Sequence, residues 1–255
     1  MGLRVTEALR DGVARAATPI GAALLAVLLL ARLATAAVLD TRFPVLARAV
    51  NDLYGQEVLE PTPGPLAVDL PPAVLTGLSL LAAVLTAAVV TAGFRAFTGE
   101  GPERLEGEPW RGFAWAALNV LFAQFLIGLL LGIGFALFVV PGILVGVAFV
   151  FVPAAIAVEG HDALRAMVES WRVGRGSWLR VLGLLIGIVV VGFAINLFGT
   201  SIALLAFGDG VGADVVSIAF GSAVGIYAIG AVASAFDQLR TVDEEFADID
   251  DELLP

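Results

Sequence analysis

Residues 113–158 form a run of 46 apolar-rich residues, and that length decides what kind of fold the chain can adopt. An α-helix rises about 1.5 Å per residue, so a hydrocarbon core roughly 30 Å thick takes about 20 apolar residues. The run is long enough to cross a bilayer twice. Pro141-Gly142 is the expected division, although two tilted spans divided elsewhere would read the same way. Four further stretches have the required length: 19–39, entered through Thr18-Pro19; 73–94, after Pro71-Pro72; 179–198; and 215–236. Thr18-Pro19 is a helix start, with an N-cap residue followed by proline at the first helical position. Together with 113–140 and 143–158, the latter short and carrying Pro153, they predict an all-α, polytopic transmembrane helical bundle of about six spans. Residues 1–236 would form a single integral membrane domain. Composition agrees, since 59% of the chain is hydrophobic and 15% charged, against roughly 45–50% and about 25% in soluble domains.

Basic residues near span ends stay on the cytoplasmic side of a membrane. With the N-terminus inside, eleven of the 14 arginines fall in cytoplasmic segments: Arg4, Arg10, Arg15, Arg95, Arg104, Arg111, Arg165, Arg172, Arg175, Arg180 and Arg240. Arg42 and Arg48 fall outside, and Arg32 lies within the first span. Trp110, Trp115, Trp171 and Trp178 all sit at cytoplasmic interfaces in this arrangement, where an amphipathic ring prefers to lie. Five spans would scatter the arginines over both sides, so six spans with both termini cytoplasmic is the expected topology. A cleaved signal peptide is the competing account of the first span, because residues 20–31 resemble an apolar h-region and Ala34-Thr35-Ala36 a cleavage pattern. Glu7 and Asp11 in the long preceding segment speak against it.

Two segments have the pattern of cytoplasmic interfacial helices. Residues 161–173 place Leu164, Met167, Val168 and Trp171 at i, i+3, i+4 and i+7, with Asp162, Arg165, Glu169 and Arg172 elsewhere; an apolar stripe with a charged back marks a helix lying along a membrane surface. Residues 3–16 set Leu9, Val13 and Ala16 on one side and an Asp11/Arg15 pair at i, i+4 on the other. The loop at 40–72, with Pro61, Pro63 and Pro65, reads as an irregular external segment with a short helix around 43–53. Residues 237–255 read as an acidic cytoplasmic tail, disordered and solvated, or as a docking tail for a basic partner.

The chain has no lysine, 24 acids and a net charge of −10. An acid-rich, lysine-free exterior is expected of a halophilic archaeon, and GC-biased codon usage would leave the same trace. The acidic balance disfavours nucleic acid, which wants a basic stripe. With no cysteine and a single histidine, His161, thiolate and histidine-rich metal sites are excluded. Neither a P-loop nor a nucleophile elbow occurs, so no catalytic residue and no cofactor is expected. Polar residues within spans are functional candidates by default. Arg32 is seven residues from Leu39, about 10 Å by helix rise, and can snorkel to the outer interface. Asn119 and Gln124 on the third span and Asn196 on the fifth can bridge helices or supply a hydrated site. Glu159 ends the fourth span as an interfacial carboxylate near Arg165. Gly128/Gly132, Gly142/Gly146, Gly183/Gly187 and Gly221/Gly225 are small-xxx-small pairs that let helices approach.

The stretch 127–191 contains G-I-G-F-A-L-F-V-V-P-G-I-L, P-A-A-I-A-V-E-G and D-A-L-R-A-M-V-E-S-W-R-V-G-R-G-S-W ahead of a new span. It resembles six-span membrane families that include the YciC-like proteins and the membrane domain joined to some glycerophosphodiester phosphodiesterases. Pro141-Gly142, Glu159 and the Ala163-Leu164…Ser170-Trp171 helix carry the resemblance. It implies a fold and no activity, because phosphodiesterase chemistry belongs to a separate domain with several metal-binding histidines. The expected role is a non-catalytic membrane protein that organises lipids or partner proteins, a second copy of itself included. The alternative is a transporter or channel for a small solute, built from Asn119, Gln124, Asn196 and the break at Pro141.

Overall fold

The structure is a computed structural model that describes residues 3–98 and 112–253, with side chains through Arg240. Arg104, Trp110 and Arg111, used in the topology above, lie outside the described residues. The described chain is all helix: α1 (Val5–Ala16), α2 (Pro19–Tyr54), α3 (Pro72–Phe97), α4 (Phe113–Leu137), α5 (Val139–Phe149), α6 (Val152–Glu159), α7 (Ala163–Gly174), α8 (Trp178–Phe207) and α9 (Val211–Leu253). Six segments are long and apolar enough to cross a membrane: α2, α3, α4, α5 with α6, α8, and α9 as far as Arg240. Between 17% and 44% of their most apolar windows is buried within the protein. The remaining apolar surface needs an apolar surrounding to be stable, and a bilayer supplies one.

Several boundaries differ from the sequence reading. Helix α2 does not stop at residue 39 but continues through Pro44 to Tyr54, absorbing the short helix expected around 43–53. A proline inside a helix removes the hydrogen bond to the carbonyl four residues back, here that of Asp40. That carbonyl accepts the Gly64 N–H at 3.4 Å instead, and the Asp40 carboxylate accepts the Leu66 N–H at 2.9 Å. The segment after Tyr54 is irregular, as expected, but pinned. Asn51 Oδ1 accepts from Val58 N and Leu59 N at 2.8 and 2.9 Å, and Thr41 Oγ1 accepts from Val68 N at 2.9 Å.

The division of the 113–158 run falls at Phe138, which is extended (φ −160°, ψ 157°), and not at Pro141. Pro141 occupies the first turn of α5, where its missing N–H has no intrahelical partner to lose. Gly134 and Gly142 close this hairpin, since a Cβ on Gly134 would lie 2.9 Å from the Gly142 backbone. The fourth span is itself broken between Phe149 and Val152, just before Pro153. At the C-terminus, the segment expected as a disordered tail continues α9 in backbone as far as Leu253.

The chain divides into two compact units. Unit 1 comprises Met1–Leu24, Ala87–Gly192 and Gly225–Pro255. Its core surrounds α6, a short helix buried at every position from Val152 to Val158 apart from Pro153, and includes the rings of Phe151 and Phe236, 6.0 Å apart. Helix α1 docks here through small residues. A Cβ on Gly12 would lie 2.9 Å from Ala231, and Leu9 fills the space over Gly187. The expected Asp11/Arg15 pair within α1 does not form. Asp11 accepts from Ser234 Oγ at 2.8 Å, and Arg15 pairs with Asp237 at 3.3 Å while donating to the Phe97 carbonyl. Both charges face α9 because the docked face of α1 offers them partners shielded from water.

Unit 2 comprises Leu25–Thr86 and Phe193–Val224. Within it the Phe220 ring lies over Gly199, and α8 turns into α9 through Gly208 at φ +64°, a left-handed conformation that favours glycine.

A candidate interfacial site built on helix α7

The sequence places α7 after a glycine and an acid, and both explain how it starts. Helix α6 ends at Glu159, and Gly160 adopts a left-handed C-cap (φ 72°) that turns the chain back on itself. The turn sets His161 Nδ1 3.0 Å from Glu159 Oε2, the two side chains being 16% and 20% exposed. Glu159 is thus partnered by His161 and lies within electrostatic reach of Glu169, Arg240 and Arg172; Arg165, the neighbour expected from sequence, is not among its partners.

The first N–H groups of a helix have no intrahelical acceptor. In α7 the first three are all satisfied. Asp162 Oδ1 accepts from Leu164 N at 3.1 Å and Arg165 N at 3.0 Å. Asn119 Oδ1, from α4, accepts from Ala163 N at 3.1 Å, while Asn119 Nδ2 donates to Trp115 O at 2.9 Å. The amide is a remote cap that fixes α7 to α4.

Ser170 provides a second fixing point. Its buried hydroxyl donates to Ala148 O at 2.7 Å and accepts from Phe151 N at 3.2 Å, joining α7 to the end of α5 and to the break in the fourth span. Arg95, near the end of α3, ties α3 to α6 and not to α7, through its Nε–H to Ala157 O at 2.8 Å, with its guanidinium 5.5 Å over the Phe113 ring of α4. Neither residue was found from sequence. In the sequence Ser170 stands out only as part of the Ala163-Leu164…Ser170-Trp171 motif, with no sign of its bonds. Arg95 was read merely as a topology marker.

These anchors divide the surface of α7 into three faces, successive residues lying about 100° apart around the axis. Ala163, Ala166, Ser170 and Val173 are buried against the protein. Leu164, Val168 and Trp171 are 64%, 70% and 47% exposed, with Met167 half-buried at the edge. Arg165 and Arg172 are exposed on the remaining face, where Glu169 accepts from Arg172 at 2.7 Å. The small side chains therefore dock the helix and leave the large apolar ones uncovered. Trp171 meets Trp178 of α8 edge to face, with ring centres 5.0 Å apart.

The other sequence candidates divide between the units. Gln124 is half-buried on α4, about 140° around the helix from Asn119, so the two amides do not share a face. In unit 2, Arg32 and Asn196 meet at Gly221, whose absent side chain leaves Arg32 Nη1 at 3.4 Å and Asn196 Oδ1 at 3.5 Å from the Cβ position. Helix α2 extends 22 residues beyond Arg32 to Tyr54. Among the glycine pairs, Gly142 and Gly187 receive close contacts from Phe135 and Leu9, whereas Gly128 and Gly132 have nothing within 4 Å. No group of three or more metal-ligating side chains occurs among the described residues.

A family model described as a domain of unknown function (DUF7847) matches residues 73–240. No curated protein and no solved structure matches the chain. Nothing in these comparisons supports the resemblance to YciC-like proteins or to phosphodiesterase membrane domains.

Proposed function

We propose, on the premise that this chain belongs to the DUF7847 family, that it is a non-catalytic multi-pass membrane protein that organises lipid at the cytoplasmic surface. The supporting observation is the arrangement of α7, held to α4 by the Asn119–Ala163 hydrogen bond and to α5 by the Ser170–Ala148 one, while presenting Leu164, Val168 and Trp171 outward. Leaving large apolar side chains in water is costly, and a helix with this division of faces lies at a bilayer boundary. Cytoplasmic placement rests on the arginine distribution. The contact of α1 with the Ala231–Asp237 part of α9 supports the even number of spans in that topology, without bearing on which side they face.

The solute-channel alternative draws less support. Asn119, one of its three amides, is occupied as a helix cap, and Gln124 faces elsewhere. The acid-rich, lysine-free composition supports a salt-rich setting.

The test is mild extraction of the full-length protein, followed by mass spectrometry of what stays bound. A reproducibly enriched lipid, lost in Leu164→Glu/Trp171→Glu, supports the proposal. A protein partner retained through the same surface points to scaffolding of proteins instead. A protein free of companions that passes small solutes in liposomes contradicts it.

A further inference from the structure

Around the α7–α8 corner the charge balance of the chain reverses. Residues 161–180 hold four of the 14 arginines and two of the 24 acids. Both acids are occupied: Asp162 caps α7, and Glu169 binds Arg172. Arg165, Arg175 and Arg180 are exposed and pair with no acid among the described residues. Arg175 follows the last turn of α7, and Arg180 lies in the first turn of α8. In sequence, Arg175 lies between Trp171 and Trp178, whose rings meet, and Arg180 follows two residues after Trp178. An aromatic pair that shares one helix corner with two exposed arginines and includes Trp171 of the exposed apolar stripe suits a lipid with an anionic head.

We propose that Arg175 and Arg180, with Trp171 and Trp178 beside them, bind the phosphate of an anionic phospholipid. This inference rests on α7 facing the bilayer and adds the lipid class. Arginine suits the task because its planar fork makes two parallel hydrogen bonds to phosphate oxygens. A direct contact of that kind also persists in strong salt, where diffuse attraction does not. At about 1 M ionic strength the Debye length is about 3 Å.

The test uses the full-length protein carrying Trp110→Phe and Trp115→Phe, so that only Trp171 and Trp178 fluoresce. It is placed in lipid nanodiscs containing brominated phosphatidylglycerol or brominated phosphatidylcholine at equal mole fraction. The anionic lipid is expected to quench more strongly, with an affinity preference of about fivefold per arginine at low salt, and to keep a preference in 1 M salt. Arg175→Gln/Arg180→Gln removes the preference while leaving general quenching intact. Arg175→Lys/Arg180→Lys, which keeps charge without the fork, retains it at low salt and loses it at 1 M. Equal quenching by the two lipids in the protein with native arginines overturns the inference, as does an unchanged preference in the glutamine variant or in the lysine variant at 1 M. Absence of quenching by either lipid overturns the interfacial reading beneath it as well.

Discussion

Asn119 Oδ1 accepts the first backbone N–H of α7, that of Ala163, at 3.1 Å, so an amide on one apolar span fixes the start of a helix on another. Asn119→Leu keeps the volume and leaves that N–H unsatisfied, at a cost of about 1–3 kcal/mol. The expected result is faster hydrogen exchange across Ala163–Gly174 with exchange elsewhere in α4 unchanged. Gln124→Leu serves as the control and should leave α7 protected.

Ser170 bridges Ala148 O and Phe151 N within the core of unit 1. Ser170→Ala removes one donor and one acceptor from two buried backbone groups, and a loss of about 1–3 kcal/mol follows. Thermal unfolding in detergent should show a lower midpoint for this variant. Ser177→Ala, on the partly exposed turn before α8, should not shift it.

Asp162 caps two N–H groups of α7. Asp162→Ala should cost about 1 kcal/mol and Asp162→Ser much less, because serine keeps an acceptor at the cap. Protease sensitivity of the Gly160–Ala163 junction reports the difference.

Much of this architecture was legible in the sequence because hydrophobic length and helical periodicity are local signals. The six apolar segments and the exposed stripe Leu164, Val168, Trp171 follow from counting along the chain. What escaped depends on bonds between distant residues. Nothing near Pro44 announces that Gly64 will take the Asp40 carbonyl and let α2 continue to Tyr54. Nothing near Asn119 identifies Ala163 as its partner. Pro141 misled for a related reason, since proline is tolerated both between helices and in a first turn, and the Gly134–Gly142 approach selected the second.

Gly12 sits against the backbone of Ala231, where a Cβ would approach to 2.9 Å. Gly12→Leu should displace α1 from α9 and with it the Arg15–Asp237 pair. Disulfide trapping between Asp11→Cys and Ser234→Cys, introduced into a chain without native cysteine, checks this. The bond should form with Gly12 in place and fail in the leucine variant.

Like charge on the acid-rich exterior repels itself, and salt screens that repulsion. The unfolding midpoint should therefore rise with KCl from about 0.1 M to about 1 M, where the Debye length falls from about 10 Å to about 3 Å. A midpoint independent of salt would remove the support for a salt-rich setting.

Helix α7 rests on its small-residue face and, in the function proposed above, gives its large apolar face to the bilayer. The most direct measurement places single cysteines at Leu164, Val168 and Arg165, each carrying an environment-sensitive fluorophore, in the reconstituted protein. Probes at 164 and 168 should emit as in an apolar medium and be quenched by bromines high on the acyl chain, while the probe at 165 is quenched by iodide from the water. Iodide quenching at all three positions, or shielding of 164 and 168 from both quenchers, would contradict the account.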